Sequence, residues 1–275
     1  SRDDARGVYA VAAGLFRRPH FAWAASGDVS HLIWMTGGRG LETFDSLRAA
    51  PPSSGASRLF ALGGYAIMRS GWGPDAHQLI DDVGPLGCPI SSGHGHADLL
   101  SVQCAAFGEP ILVDPGTYCY TADPPWRDYF RSTAAHSTVR VDQRDQAHPA
   151  GPFKWRSRPL GRVREWRSDD RIDLLDAEHD AYSGQTDSVI CRRRVMFVKP
   201  HFWLLIDDVE GHARHPIEVA FQFAPIRVTR GPHPWVRADT AKGHVFWVAA
   251  FASEPLQTKV ACGELVPMRG RTSSD

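Results

Sequence analysis

At 275 residues, with 43% hydrophobic and 23% charged side chains, the chain is long enough for one large β domain or two smaller ones around a sizeable core. Its 31 basic and 31 acidic residues cancel, which excludes a global field that would recruit nucleic acid or an anionic membrane. Five scattered cysteines (Cys88, Cys104, Cys119, Cys191, Cys262) without a CxxC pair exclude a disulfide framework or a thiolate zinc site, and no run approaches the ~20 apolar residues of a membrane span.

The opening SRDDARGVYAVAAGLFRRPH carries acidic residues where a secretory leader would be basic and then apolar, and it does not begin with Met; a segment of a longer protein is expected. Val8, Val11, Ala12 and Leu15 recur at helical spacing, with Asp3 and Asp4 ahead and Arg17 and Arg18 behind, in accord with the helix dipole. DVSHLIWMTGG and GLETFDSLRAA read as further short helices, each followed by glycine or proline, and PPSSGAS as a linker. So few short helices cannot close a core. Residues 1–57 are therefore expected to be the tail of a helical domain.

From Leu59 onward the period changes to two. The strand-like runs are YAIMRSGW, HQLIDDVG, LLSVQCAAF, PILVDPG, STVRVDQ, GRVREWRS, RIDLLDAEH, VICRRRVMFV, FWLLIDDVE, IEVAFQFA and HVFWVAAFA, with turn residues between them. So many short strands without intervening helical patterns predict a mainly β fold over residues 58–275. The expected architecture is an antiparallel multi-stranded β-sandwich preceded by a few short α-helices.

SSGHGHADLL is unlike either core or ordinary loop. In an extended segment His94, His96 and Asp98 would project to one side, and the glycines between them would leave the other side bare for close backbone approach. That suits a metal site or a catalytic imidazole; a surface loop holding two histidines is the alternative. ILVDPGTY ends an apolar run on Asp114, and RSTAAHSTVRV places His136 just before another strand. Two histidines and a carboxylate suit zinc, although a turn-forming aspartate and a hydrogen-bonded rim histidine fit the same spacing.

Between these residues, GTYCYTADPPWRDYFRS reads as a proline-containing loop with Tyr118, Tyr120, Trp126, Arg127, Tyr129 and Arg131. Aromatic faces stack on sugar rings and guanidinium forks grip carboxylates, so a sugar or uronate groove is one reading and a loop packed by its aromatics the other. His148, Glu178 and His179 are further candidates for a cleft or for an exposed rim.

GYAIMRSGW, SGHGHADLLSVQCAAFGEPILVDPGTYCY, RDYFRSTAAHSTVRVD and GPFKW, in that order, resemble the C-terminal region of the heparinase II/III-like polysaccharide lyases. The resemblance covers roughly residues 60 to 155 and continues, less closely, through CRRRVMFVKPHFWLLIDDVEG to about residue 225. It implies an incomplete α/α toroid followed by antiparallel sheets in a sandwich, and cleavage of acidic polysaccharides such as heparan sulfate or alginate by β-elimination. It also implies an active-site role for His94, zinc ligation by His96, Asp114 and His136, and a bacterial, periplasmic or secreted setting. The zinc is expected to orient the His94 loop, and the toroid of the same protein to be a partner.

There are departures from the family pattern. Ser137 stands where the family often has Asn, and Val141, Asp142, Gln143 where VDG is common. The family's catalytic tyrosine, and the residue that neutralises the uronate carboxylate, lie on the toroid and match no segment here. Little or no lyase activity is therefore expected of this chain alone. A non-catalytic carbohydrate-binding or packing sandwich is the alternative of another class, and a hydrolase using a zinc-bound water is a third.

Overall fold

The computed structural model describes residues 5–53, 55–88, 90–184 and 187–261. Two compact units divide the chain, Ser1–Ala56 and Ser57–Asp275.

In the first unit, α1 (Arg6–Phe16), α2 (Pro19–Ala25) and α3 (Ser30–Asp45) share a small core of Ala10, Ala25 and Leu32. Proline at the first position of α2 suits a helix start, where no backbone N–H is needed. Non-helical Gly37 (φ 64°, ψ −164°) kinks α3, so DVSHLIWMTGG and GLETFDSLRAA are two helical runs joined at the glycine pair. The buried face of α1 is Gly7, Ala10 and Ala13, whereas Val8 and Leu15 of the expected apolar stripe are 65% and 60% exposed. Close helix approach explains this correction: a Cβ on Gly14 would fall 2.7 Å from the Leu32 side chain and 3.3 Å from the Gly40 carbonyl. Only small residues permit such a seam. Asp3 and Asp4 lie outside the described residues.

The second unit is mainly β, and its strands pair antiparallel. β1 (Arg58–Phe60), β2 (Tyr65–Arg69), β3 (Gln78–Asp82), β4 (Ser101–Ala106) and β5 (Glu109–Leu112) form one sheet in chain order. A short helix follows, α4 (Pro124–Phe130), then β6 (Val139–Val141) and the small hairpin of β7 (Pro149–Gly151) and β8 (Lys154–Trp155). β9 (Gly161–Ser168), β10 (Ile172–Tyr182), β11 (Val189–Val198) and β12 (Phe202–Glu210) make the second large sheet. β13 (Ile217–Val219) pairs with β6, and β14 (Arg227–Arg230), β15 (Trp235–Asp239) and β16 (Val245–Ala249) form a three-stranded sheet.

Met68, Leu79, Val102, Cys104 and Ile111 from the first large sheet meet Leu175, Ala177, Val195 and Phe197 from the second in one apolar core, which makes the unit a β-sandwich. The alternation in β11 is complete: Val189, Cys191, Arg193, Val195 and Phe197 are buried and their neighbours are half-exposed. Arg193 is the exception in kind. Its guanidinium pairs with Asp207 at 2.6 and 2.9 Å and donates to the carbonyls of Leu100 at 2.8 Å and Ser137 at 3.2 Å. Those partners satisfy a charge that would otherwise be costly to bury.

The sheets leave two long connections, residues 83–100 between β3 and β4 and residues 113–138 between β5 and β6. Both carry the candidate site. The second contains α4, which corrects the reading of DPPWRDYFRS as a loop: Asp123 caps the helix by accepting the Trp126 N–H at 3.4 Å, and two prolines open its first turn. Cys88, Cys104, Cys119 and Cys191 are free thiols, and Cys262 lies outside the described residues.

Candidate functional site

The 91–98 stretch is a series of turns and not the extended segment expected from its alternation. His94 has φ 64°, in the left-handed region, which breaks the period of two and sends its ring away from that of His96. The expected close backbone approach occurs at Gly95, where a Cβ would fall 2.7 Å from the Gly87 nitrogen and 2.9 Å from the Leu86 carbonyl carbon. Gly93 makes no such contact: its Cβ would meet the Ser91 hydroxyl at 3.1 Å. Hydrogen bonds fix the far end of the turn: Ala97 N–H donates to the Arg131 carbonyl at 2.9 Å, and Thr133 Oγ1 to the Ala97 carbonyl at 2.8 Å.

His94 is exposed, and its ring stands 5.6 Å from Tyr120 and 5.6 Å from Phe153. Tyr120 and Phe153 in turn stack at 5.8 Å. An imidazole braced on two sides by aromatic rings keeps its remaining edge open.

His96 points to the interior. Its ring centroid is 5.2 Å from that of His136, and its Nε2 is 3.3 Å from Thr117 Oγ1. His136 Nδ1 and Asp114 Oδ2 are 2.8 Å apart, and Asp114 Oδ1 accepts the Gly116 N–H at 2.7 Å. Ligating atoms of His96, Asp114 and His136 all lie within 4.8 Å of one another. His136 is 1% exposed, and its buried Nε2 has no hydrogen-bond partner among the described residues.

The electrostatics follow from this crowding. Burial, followed by the charge of His136, pushes His96 down to about 4, so it is neutral at pH 7 and keeps a lone pair free. Burial also acts to lower His136, but its bond to Asp114 and the charges of Asp98, Asp114 and Asp82 outweigh it and raise the net value. Burial acts to raise Asp114, and the hydrogen bond and charge of His136 with the Gly116 N–H hold it below the ordinary carboxylate range. Asp98 is pushed up to about 7 by burial. Two imidazoles, one of them with a buried unpartnered nitrogen among the described residues, and a carboxylate make a three-residue donor set that fits a borderline-soft divalent metal such as zinc.

The aromatic and basic residues of the second connection divide into three groups. Tyr120 belongs with His94. Tyr118 stacks on Phe130 at 5.4 Å and leans on Trp126 at 6.1 Å, while Trp126 meets Tyr129 edge-on at 5.6 Å. Arg127 and Arg131, expected to face a substrate carboxylate, are each 1% exposed. Arg131 donates to the carbonyls of Pro152 at 3.1 Å and Gly151 at 2.8 Å and lies over Trp155. Arg127 reaches the Pro152 carbonyl at 3.3 Å and lies over Tyr120, and its Nε and Nη1 have no hydrogen-bond partner among the described residues. Both guanidinium groups therefore hold the β7–β8 hairpin, whose tip carries Phe153, against the His94 turn.

Of the remaining candidates, His179 is 1% exposed, pushed down to about 4 chiefly by burial, and set against Gln146 Nε2 at 3.4 Å, so it belongs to the interior and not to a cleft. Glu178 is held by Arg162 at 3.1 Å and Arg164 at 2.5 Å. His148 lines an open cleft beside α4. Both family departures have local consequences: Ser137 Oγ accepts the Gln222 N–H at 2.9 Å, and Asp142 and Gln143 both take left-handed φ, 52° and 56°. Sequence reasoning passed over Phe153 and Thr117. The GPFKW run supplied a signal for Phe153, an aromatic at a hairpin tip, but nothing local ties it to His94.

The family model "Heparinase II/III-like, C-terminal" matches residues 52–264. A heparin-sulfate lyase of Bacteroides stercoris is 22% identical over 169 residues, 60% of this chain and 23% of that protein. One of Bacteroides thetaiotaomicron is 23% identical over 172 residues, 60% of this chain and 22% of that protein. Among solved structures, heparan sulfate lyase HepC from Pedobacter heparinus superimposes with a TM-score of 0.72 at 18% identity, covering 93% of this chain and 35% of that one. A heparinase III gene product gives 0.68 at 20% identity, covering 88% and 33%. At such identities the structural likeness speaks for the fold. The chain spans about a quarter of the length of these curated relatives, whose matched shares are 23% and 22%.

Proposed function

Because this chain belongs to the heparinase II/III-like family through its C-terminal domain, we propose that it is the sandwich part of a polysaccharide lyase that cleaves acidic, uronate-containing polysaccharide by β-elimination. The observation that carries the reading is one turn that presents His94 outward, braced by Tyr120 and Phe153, and His96 inward, against Asp114 and His136. Residues 1–57 would then be the tail of an α/α toroid that supplies the rest of the catalytic groups. A polysaccharide of the heparan sulfate class comes first as substrate, since two relatives are heparin-sulfate lyases, with alginate as the alternative. The relatives are bacterial, and no helix among the described residues is long and apolar enough to cross a membrane; the proposed setting is the periplasm or the exterior of the cell.

β-Elimination removes the proton at C5 of the uronate and expels the 4-linked sugar oxygen, leaving a double bond between C4 and C5. The C5 proton is only weakly acidic, so a base must stand within hydrogen-bond reach of it, and the charge that develops on the carboxylate must be stabilised. The reading gives His94 one of these tasks, because the open edge of its exposed imidazole can meet a substrate group. The aromatic braces restrict its rotation, which holds the ring ready for one approach direction.

His96, Asp114 and His136 would hold zinc. When bound, the ion would supply a fixed positive charge that joins three chain segments in a structural role. Each donor comes from a different place: the 91–98 turn, the end of β5 and the residue after a 3₁₀ turn at Thr133–Ala135. Tying them would anchor the turn from its inner side while His94 works on the outer one.

The test has two readouts. Elemental analysis of the purified chain should find near-stoichiometric zinc that His96→Ala loses. In the protein that contains this domain, ultraviolet absorbance of the unsaturated uronate should report turnover that falls by about 100-fold or more in His94→Ala. Unchanged turnover in that variant would overturn the assignment of His94.

A further inference from the structure

The open cleft beside α4 lies apart from the His96, Asp114 and His136 set. It encloses about 760 Å³, and its walls include Asp128, Tyr129, Ser132, Asp145, His148 and Arg156. Its two carboxylates already have partners. Asp128 Oδ1 accepts from Arg131 Nε at 3.0 Å and Nη2 at 2.5 Å, and Asp145 Oδ1 accepts the Thr133 N–H at 3.0 Å with Arg140 Nε 4.0 Å away. Arg156 and His148 are exposed, and among the described residues neither side chain has a hydrogen-bonding or ionic partner. The cleft therefore offers acids that already have partners, and two basic side chains that have none among the described residues.

Tyr129 supplies a flat wall. It is 49% exposed, and Trp126 and Phe130 meet it edge-on at 5.6 and 5.5 Å, which fixes the ring as a platform. A rigid aromatic face beside a free guanidinium and an imidazole is the chemistry that receives a sugar ring bearing an anionic group.

The β7–β8 hairpin links this cleft to His94. Its base is closed by the Arg156 N–H donating to the His148 carbonyl at 2.9 Å, and its tip carries Phe153 against the His94 ring. The four residues from base to tip span roughly 13 Å at about 3.3 Å each, a distance that one oligosaccharide can bridge.

We propose that the cleft between α4 and the β7–β8 hairpin is a second glycan subsite, in which Tyr129 stacks on a sugar ring and Arg156 with His148 takes the sulfate or carboxylate the ring carries. The proposal rests on the reading of this chain as part of an enzyme of acidic polysaccharide. Loss of a contact to a charged group of this kind weakens binding by about tenfold or more.

Calorimetric titration of the purified chain with a heparan sulfate hexasaccharide and with its desulfated counterpart tests this, using Tyr129→Ala and Arg156→Gln. Both positions are exposed, and thermal melts that match the parent establish that the variants fold. About tenfold weaker binding of the sulfated sugar by each variant is the expected result. If desulfation weakens the parent but not Arg156→Gln, the group held is a sulfate; if desulfation leaves the parent unchanged while Arg156→Gln is still weakened, it is a carboxylate. Binding by both folded variants at parental affinity overturns the subsite alone. Failure of the parent chain to bind either hexasaccharide overturns the subsite together with the acidic-glycan reading beneath it.

Discussion

Gly87 and Gly95 lie against each other so closely that a Cβ on Gly87 would fall 2.5 Å from the Gly95 nitrogen, and one on Gly95 would fall 2.7 Å from the Gly87 nitrogen. Gly95 sits between His94 and His96, so this backbone contact sets where both rings emerge. Gly95→Ala must push two backbone segments apart, an overpacking that costs about 1–3 kcal/mol. Gly93→Ala meets a rotatable hydroxyl and an ordinary contact instead, and should cost clearly less. Urea denaturation of the pair measures the contrast, and equal losses would remove Gly95 from its role as a spacer.

Asp81 is wholly buried, and among the described residues neither carboxylate oxygen has a hydrogen-bond partner. Burial pushes it up to about 7, against the opposing pull of the Arg193 charge. The folded protein thus holds this proton more tightly than the unfolded chain, whose carboxylate titrates near ~3.9. The sign follows: stability from this group is complete below about pH 4 and declines as pH rises towards about 7. Asp81→Asn removes the titration at nearly constant volume, so its denaturation midpoint should depend less on pH than the parent's across that window. Parallel profiles would refute the assignment.

His215 bridges two turns, with Nδ1 2.8 Å from Asp142 and Nε2 2.8 Å from Asp187. The carboxylates of Asp187 and then Asp142 raise the His215 pKa, while His215 and the Ala213 N–H hold Asp187 below its ordinary range. The histidine contribution is complete below the usual imidazole range and is lost as pH rises through the raised value. The Asp187 contribution is lost on acidification. An NMR titration of His215 should give a midpoint above that of a free imidazole, and Asp142→Asn should move it down. A midpoint that ignores the substitution would show that the Asp142 contact carries no charge interaction.

The turn after β6 places Asp142 and Gln143 at φ 52° and 56°, closed by the Arg144 N–H donating to the Val141 carbonyl at 2.9 Å. Left-handed φ at both central residues favours glycine at the second. Gln143 is exposed, so Gln143→Gly should stabilise the domain by up to about 1 kcal/mol, less the added freedom of the unfolded chain. A lower melting temperature in that variant would indicate that the glutamine side chain makes a compensating contact.

The sandwich was legible wherever one face is buried and the other wet. GRVREWRS, VICRRRVMFV and FWLLIDDVE coincide with β9, β11 and β12 because alternation alone decides their ends. α4 was hidden because a two-turn helix that buries only Arg127 gives no apolar stripe, although Asp123 before two prolines was the available signal. Asp114 and His136 stand near the ends of β5 and β6 as expected, whereas His96 lies in the turns ahead of β4; the structure nonetheless brings the three together. The separation of His94 from His96 could not be read, since it depends on a left-handed φ at a non-glycine residue that the neighbouring fold imposes. Burial of Arg127 and Arg131 was equally invisible, because their carbonyl partners belong to a hairpin some 20 residues on, with separations of 25 and 21 positions.

Arg193 donates to the carbonyl of Ser137, the residue after His136, and to that of Leu100, two residues beyond Asp98. One side chain on the opposite sheet therefore spaces the two connections that bear the candidate site. If the proposed lyase reading holds, a random-mutagenesis screen of the protein that contains this domain should return position 193 alongside positions 94 and 96, although the Arg193 guanidinium lies in the sandwich interior. Second-site suppressors of such lesions would be found in the sheet interior and not around the histidines.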